Sequence, residues 1–503
     1  MNILFIYPQY PDSFWSFKHA LKFISKEAAV PPLGLITVSA MLPSKLWNKK
    51  LVDMNVSKLR TEDLQWADYV FISAMYIQKP SVYEIITECQ KHDVKMVAGG
   101  PLFTQEYEDF PQIDYFVLNE AEITLPLFIE DLAAGHPQRV YKTDEEFADL
   151  SMSPVPDYQL LEKKKYAFMN VQVTRGCPYN CDFCEITSLL GRKVRMKQTS
   201  QIIDELNALY SLGWRGPVSV VDDNFIGNKK EIKRDLLPVV KMWMKAHGFP
   251  FVFSIQSSIN LADDEELMDL MAETGFTSTF IGIETPDEAS LQYCHKVQNN
   301  NRNLLESVRI IQKKGIQVSG GFIVGFDSDT PGVFERQIEF IQKSGIVSAM
   351  VGLLNAPRNT KLYQQMKEEK RLTTPATGNN TDFSMNFTPK MNYNELMNGY
   401  RKIIQNIYSI KPFYQRLRQL LLNYNRTYKK QPRINFTLLL AFFKSAYYIG
   451  IKNKGRREYW KLLLWTLFKR PGLISDALTY AVYGYHFRII YQVYDQDNSK
   501  VSA

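Results

Sequence analysis

Three cysteines stand within eight positions of one another in the run Val171-Gln-Val-Thr-Arg-Gly-Cys177-Pro-Tyr-Asn-Cys181-Asp-Phe-Cys184. Three soft ligands on one loop make a metal site the first expectation. Structural zinc takes four protein ligands, and neither CxxC…CxxC nor CxxC…HxxxH is present. Of the other cysteines, Cys89 lies well upstream, and Cys294, followed by His295, is more than 100 residues downstream. Iron-sulfur clusters are normally held by four thiolates. A local count of three leaves one iron without a protein ligand and free to take a substrate. Zinc, or a cluster with a purely structural task, is the bland alternative.

The rest of the composition is that of an ordinary globular protein. The chain has 503 residues, 45% apolar and 22% charged, a length that suggests roughly two to four domains. Five cysteines are too few for a disulfide scaffold, and their clustering points to a metal site in a reducing cytoplasm. The start, MNILFIYPQYPD, has no basic leader and is expected to be a first buried strand rather than a signal peptide. The longest apolar stretch, around Phe436 to Phe443, falls short of the roughly 20 residues of a membrane span. The net charge of +7 is uneven: Lys411 to Arg470 holds 15 Lys and Arg against Glu458 alone, so the remainder is acidic. Such asymmetry concerns partners rather than fold.

These cysteines need a scaffold, and the chain around them alternates short apolar runs with helical patterns, as parallel α/β sheets do. A first unit, 1–140, is predicted to be doubly wound with strands Asn2 to Tyr7, Lys50 to Asn55, Tyr69 to Ala74, Lys95 to Ala98 and Asp114 to Leu118. Its helices are placed at Leu35 to Leu42, Val82 to His92 and Leu125 to Ala134. A polar, proline-bearing passage at 141–165 is taken as a linker. A second βα series, 166–358, has six predicted strands: Asn170 to Thr174, Val218 to Val221, Phe251 to Gln256, Ser278 to Glu284, Gln317 to Val324 and Ile346 to Leu354. Six such strands suit a partial or complete parallel barrel, whose chemistry sits at the C-terminal strand ends. The cysteine loop directly follows the first of them. The last part, 359–503, is expected to be mostly helical.

CxxxCxxC after the first strand of a βα barrel resembles the signature of the radical SAM superfamily. That resemblance implies a 4Fe-4S cluster on Cys177, Cys181 and Cys184, with S-adenosylmethionine on the open iron and its reductive cleavage to a 5′-deoxyadenosyl radical. Phe183 matches the aromatic that lies near the adenine. Val220-Val-Asp222-Asp223-Asn224 occupies the position of the segment that meets the methionine amine, by place and not identity; two acids and an Asn at a strand end read equally as a helix N-cap. Ser254, Gln256 and Ser258 end the third strand, where they suit ribose hydroxyls. Ile281-Gly282-Ile283-Glu284-Thr285 resembles the family's Gly-Ile-Glu strand, and Gly320-Gly-Phe-Ile-Val-Gly325 its later glycine-containing strand.

A parallel domain ahead of such a barrel is similar to the cobalamin-binding class of the superfamily. Ligands in these sheets settle beyond the carboxyl strand ends at the switch point, here Tyr7 to Tyr10, Asp53 to Asn55, Ser73 to Tyr76, Gly99-Gly100-Pro101 and Asn119-Glu120. Ser73, Gly99, Gly100 and Glu120 are accordingly candidates for holding cobalamin. Pro31-Pro-Leu-Gly-Leu35 and the Gly99 run are typical of the class, and Glu120-Ala-Glu122 stands where many members have Gly-Glu-Gly-Glu. The older cobalamin motif Asp-x-His-x-x-Gly is missing, so no lower-face histidine can be named. A nucleotide fingerprint Gly-x-Gly-x-x-Gly is missing too. A sheet that holds no cofactor is the competing reading.

Residues 411–470 interleave Leu, Phe, Tyr and Trp with Lys and Arg, a composition of helices that lie on anionic membranes or, more plainly, pack on the barrel with solvated charge. No recognition fold supports nucleic acid. The chain resembles the group that includes hopanoid C-2 methylases. The resemblance implies a C-methyltransferase, cytoplasmic or peripheral at the inner face of the membrane, with cobalamin as methyl carrier, a lipid or hydrophobic small molecule as acceptor, and an electron donor such as flavodoxin or ferredoxin. Cyclisation or carbon-carbon coupling without methyl transfer is the rival within the superfamily; a noncatalytic, metal-stabilised binding protein is the rival outside it.

Overall fold

The computed structural model describes residues 1–43, 46–143, 146–426 and 436–492, those at 436–438 by backbone alone. The basic stretch at 427–435 and the last residues of the C-terminal region therefore lie outside the described residues.

The first sheet is built from β1 (Asn2–Tyr7), β2 (Asn48–Asp53), β3 (Tyr69–Ser73), β4 (Lys95–Gly99), β5 (Tyr115–Val117) and β6 (Val140–Tyr141), all parallel in the order β2-β1-β3-β4-β5-β6. Successive side chains of a strand face opposite ways. Leu4 and Ile6 enter one core with Val70 and Ile72, while Ile3 and Phe5 enter another with Phe71, Val97 and Phe128. Two cores, one per face, make the domain doubly wound, as predicted. The prediction of five strands is corrected to six, because a two-residue strand carries no periodicity to read. The order reverses between β1 and β3, and their carboxyl ends open the crevice that such a switch point provides.

The second sheet comprises β7 (Met169–Val171), then, after the antiparallel pair β8 (Thr174–Arg175) and β9 (Arg195–Met196), β10 (Pro217–Val220), β11 (Val252–Ser257), β12 (Phe276–Glu284), β13 (Gln317–Val324) and β14 (Ala349–Leu353). Its order, β14-β13-β12-β11-β10-β7, is a six-stranded parallel barrel left open between β14 and β7. An open edge presents unpaired backbone groups that must be covered. Helix Tyr393–Tyr408 covers it: the hydroxyls of Tyr400 and Tyr408 donate to the Val351 and Ala349 carbonyls of β14, at 3.0 and 2.6 Å. Helix Ile474–Ile490 then returns to the start of the chain, where Phe487 stacks on Phe14 at 4.2 Å between ring centroids. The passage at 141–165 is no loose tether. Leu150, Tyr158 and Leu161 are buried, and Tyr158 donates to the Asn170 carbonyl.

The pair β8/β9 fixes the cysteine loop. Its register sets Arg175 opposite Arg195, and like charges facing each other across a ladder repel. Both guanidiniums point into the first domain. Arg175 donates to Glu120 at 2.9 Å and, through two nitrogens, to Glu122 at 2.9 and 2.7 Å; Arg195 donates to both oxygens of Glu120 at 2.9 and 2.7 Å. Ala148 N–H also donates to Glu120, and the Ser153 hydroxyl to Glu122. These side chains keep at most 13% of their surface exposed.

Burial on its own would raise the Glu122 carboxyl, but the Arg175 guanidinium outweighs it and holds the group at about 2. A folded group more acidic than its unfolded counterpart stabilises fully above the unfolded value, here 4.5, and loses that contribution as pH falls toward about 2. E122Q is therefore expected to cost about 3 kcal/mol at pH 7. The deficit should shrink as pH drops below about 4.5. Chemical denaturation of both forms from pH 7 to pH 3 measures it, and a deficit independent of pH would refute the assignment.

Candidate active site: a cysteine loop beside a cavity shared by three regions

Gly176 carries the chain from β8 into Cys177. Its φ is +91°, and a Cβ there would sit 2.8 Å from the Lys193 carbonyl, so the turn requires glycine. Cys177 N–H then donates to the Gly191 carbonyl, and Cys184 N–H to that of Cys181. Burial pushes all three thiols up, Cys184 to about 12, and the nearness of Cys181 adds to the rise at Cys177 and Cys184. Bare thiolates are disfavoured here, as expected of a loop whose charge is to be met by metal. Among the described residues no three His, Cys, Asp or Glu converge as ligands of a single ion do.

The surroundings fit the expected iron-sulfur cluster. Gln298 Nε2 lies 3.8 Å from Cys181 Sγ, within reach for an N–H···S contact, and its Oε1 is buried without a hydrogen-bond partner. N–H groups directed at cluster sulfur tune its potential. Lys296 is largely shielded, its side chain 13% exposed, and lies 2.6 Å from Glu284 and 6.0 Å from the ring centre of Phe183. Burial opposes its charge, but Glu284 and Cys181 outweigh that and hold it protonated. Glu284 itself has φ +62°, a left-handed conformation unusual for its type, at the irregularity where β12 loses register with β13. Cys294 is buried close by, its carbonyl accepting from Asp182 N–H.

Beside the loop lies a cavity of about 2570 Å³, walled by the first sheet's carboxyl ends, the barrel interior and the C-terminal helices. From the cysteine loop come Arg175, Glu185 and Ile186; from the barrel, Asp223, Ser254 and Gln256. Asp222 takes another part. It is fully buried, accepts from the N–H groups of Val173 and Thr174 at 2.8 and 2.9 Å and from the Thr174 hydroxyl, and does not join the wall. Burial raises it to about 7. Asp223 is the acid that faces the cavity, pushed to about 6 by burial and drawn back in part by Arg175. Ser258 is buried and donates to Asn260 at 2.7 Å, away from the wall.

On the opposite wall stand Ser73, Gly99, Gly100 and Glu120, with Met75, Tyr76 and Asn119. Gly99 lies against the Val117 carbonyl, which a Cβ would meet at 2.5 Å. Gly100 has φ +88°, and its Cβ would strike Ser73 Oγ at 2.6 Å. Both positions therefore require glycine, and both stand on the cavity wall. Glu120 reaches the wall while bound to both arginines, so it serves chiefly as their counter-charge. No histidine joins the described lining. The sequence reasoning missed Arg175, Glu122, Lys296 and Gln298. Arg175 and Glu122 lay inside motifs already singled out, whereas nothing in the local pattern marks Lys296 or Gln298.

Residues 171–341 match the model of the Radical SAM superfamily, residues 24–129 that of the B12 binding domain, and residues 360–500 a domain of unknown function. An uncharacterized methyltransferase of Synechocystis sp. is 38% identical over 494 residues, 97% of this chain and 91% of that one. The hopanoid C-2 methylase of Rhodopseudomonas palustris is 32% identical over 501 residues, 97% and 93% of the two chains. The solved structure of the radical S-adenosylmethionine methyltransferase TsrM from Kitasatospora setae, with cobalamin and a 4Fe-4S cluster bound, superposes with a TM-score of 0.63 at 13% identity, covering 92% of this chain and 98% of that one, and so shares its fold. OxsB, a cobalamin-dependent S-adenosylmethionine radical enzyme, gives 0.63 at 14%, covering 97% and 84%. With both cofactor-domain models matched in series and identity above 30% over nearly its whole length, the chain belongs to the cobalamin-dependent radical SAM methyltransferase family.

Proposed function

We propose that this enzyme transfers a methyl group to an unactivated carbon of an apolar, lipid-like acceptor that lies in the shared cavity. The observation that carries this reading is the wall itself. Between the barrel and the C-terminal helices it is lined by Leu439, Phe442, Leu463, Leu467, Leu478 and other apolar side chains. A cavity of about 2570 Å³ exceeds what a drug-sized ligand needs and leaves space for an acceptor beside two cofactors. The 32% identical relative, a hopanoid C-2 methylase, supports an acceptor of that kind.

When bound, the cluster with S-adenosylmethionine supplies a carbon-centred oxidant, and cobalamin a carrier for the methyl group. The chain does the rest by position. Cys177, Cys181 and Cys184 hold the cluster, and Lys296 places a fixed positive charge beside Phe183 and the loop. Asp223 offers a carboxylate to the methionine ammonium, while Ser254 and Gln256 offer hydroxyl and amide groups to the sugar. Ser73, Gly99 and Gly100 leave backbone exposed to the corrinoid. The arginine pair joins the two walls, so that both cofactors meet the same acceptor. Apolar side chains exclude water, which would quench a reactive carbon centre.

Anaerobic turnover with methyl-labelled S-adenosylmethionine and a hopanoid-type acceptor should yield labelled product with deoxyadenosine. Deoxyadenosine accumulating with an unlabelled, cyclised or coupled product would replace methyl transfer by the rival chemistry. C177A/C181A/C184A is expected to abolish cluster absorbance and deoxyadenosine while corrinoid binding persists. Asp223 must be ionised to receive an ammonium, so S-adenosylmethionine binding should weaken as pH falls through about 6. D223N is expected to bind about tenfold more weakly at pH 7.5, with a flat pH profile. Equilibrium dialysis of reconstituted protein tests both, and an unchanged profile in the variant would remove Asp223 from this role.

A further inference from the structure

The helices Phe436–Tyr448 and Arg456–Lys469 each bury one face and leave another uncovered. Tyr459, Leu462, Leu463 and Thr466 pack inward. On the outer side Leu464, Leu467 and Phe468 form an i, i+3, i+4 stripe exposed by 54%, 53% and 80%. Helix Phe436–Tyr448 carries a matching stripe, Leu439, Phe442 and Phe443, exposed by 46%, 36% and 60%. Apolar stripes at this spacing ordinarily face a core. Exposed apolar stripes of this kind mark an interaction site.

Two further observations identify its partner. Leu439, Phe442, Leu464 and Leu467 also line the large cavity, whereas Phe443 and Phe468 do not, so each stripe runs from the cavity wall to the outer surface. Rings of Phe442 and Phe443 lie 5.6 Å apart along that path. The segment is cationic: residues 436–470 hold eight Lys and Arg against Glu458 alone. Lys452, Lys454, Arg456 and Arg457 are exposed, and Lys452 sits 4.6 Å over the exposed ring of Tyr447. Apolar side chains rimmed by basic ones complement an anionic bilayer, where the former enter the acyl boundary and the latter meet phosphates. No helix among the described residues is long and apolar enough to cross a membrane, which leaves attachment at the surface.

We propose that these two helices form a membrane-docking lip that seats the cavity mouth on an anionic lipid surface, giving an apolar acceptor a route from the bilayer without passing through water. The acceptor route rests on the proposed lipid-like substrate; the docking surface stands on its own geometry. Phe443 and Phe468 anchor, and the four exposed cations orient.

The test uses the full-length, cofactor-loaded enzyme and sedimentation with vesicles of phosphatidylcholine, with or without phosphatidylglycerol. The enzyme is expected to sediment with the anionic vesicles, to release at high salt, and to bind neutral vesicles far less. F443S/F468S should weaken this binding about tenfold or more, as should K452E/R456E/R457E. Circular dichroism melts confirm that both variants stay folded, since every substituted side chain is exposed. Absence of binding by the parent enzyme, or variants that bind equally well, would overturn the lip. So would a parent dimer that the phenylalanine variant converts to monomer in light scattering, because a second copy would then cover the face. The vesicle assay needs no turnover, so a failed methyl-transfer experiment leaves it intact. Conversely, a parent enzyme that ignores the vesicles yet methylates detergent-dissolved acceptor overturns the lip alone.

Discussion

Two arginines placed side by side by a two-residue antiparallel ladder cannot stay buried without counter-charge. In this enzyme the charge comes from another domain, as Glu120 and Glu122 at the start of helix Ala121–Ala134. The helix N-terminus favours carboxylates, and the arginines favour them more. Because Arg175 stands two residues before Cys177, the pairing that satisfies these charges also fixes where the cysteine loop lies against the first sheet. Removing one partner strands the others in a place with little water, so the contact is far more costly to break than an exposed ion pair.

The shared cavity depends on that alignment. Parallel sheets present their loops at carboxyl strand ends, and the domains are oriented so that both sets face one space. Open between β14 and β7, the barrel does not close around its contents. Its free edge is instead sealed by tyrosine hydroxyls from the C-terminal helices, which bring the third wall of the cavity with them. One structural need, covering an edge strand, thereby brings an apolar surface to the place where an acceptor would lie.

The same economy appears around the cysteines. Glu284 adopts a left-handed backbone at a register shift in β12, and its carboxylate is directed at Lys296 rather than at solvent. Strain of this kind, on the order of 1–3 kcal/mol, persists only where neighbours impose it, and such places cluster at functional sites. Asp222 and Asp223, adjacent in sequence, divide the work: one ties down the start of the cysteine loop, the other faces the cavity.

Much of this was legible from local pattern. Three thiols at fixed spacing, a preceding Gly176, and apolar runs of strand length announce a cysteine loop on a parallel α/β frame, since ligand spacing and strand alternation are written within a few residues of one another. Residues 1–140 were read as one doubly wound sheet; of its strands only the two-residue β6 escaped, and of its helices short ones such as Thr61–Trp66 and Pro101–Glu106. Pairing across long separations is a different matter. That Glu120 neutralises arginines 55 and 75 positions away, that Asp222 caps the strand end 48 and 49 positions earlier, and that Lys296 lies beside Phe183 are not encoded in any window of sequence. The sequence by itself determined which chemistry the loop could carry. Tertiary structure alone decided which carboxylates face the cavity and which are consumed in holding it together, because burial and charge neutralisation are settled between segments only once they pack.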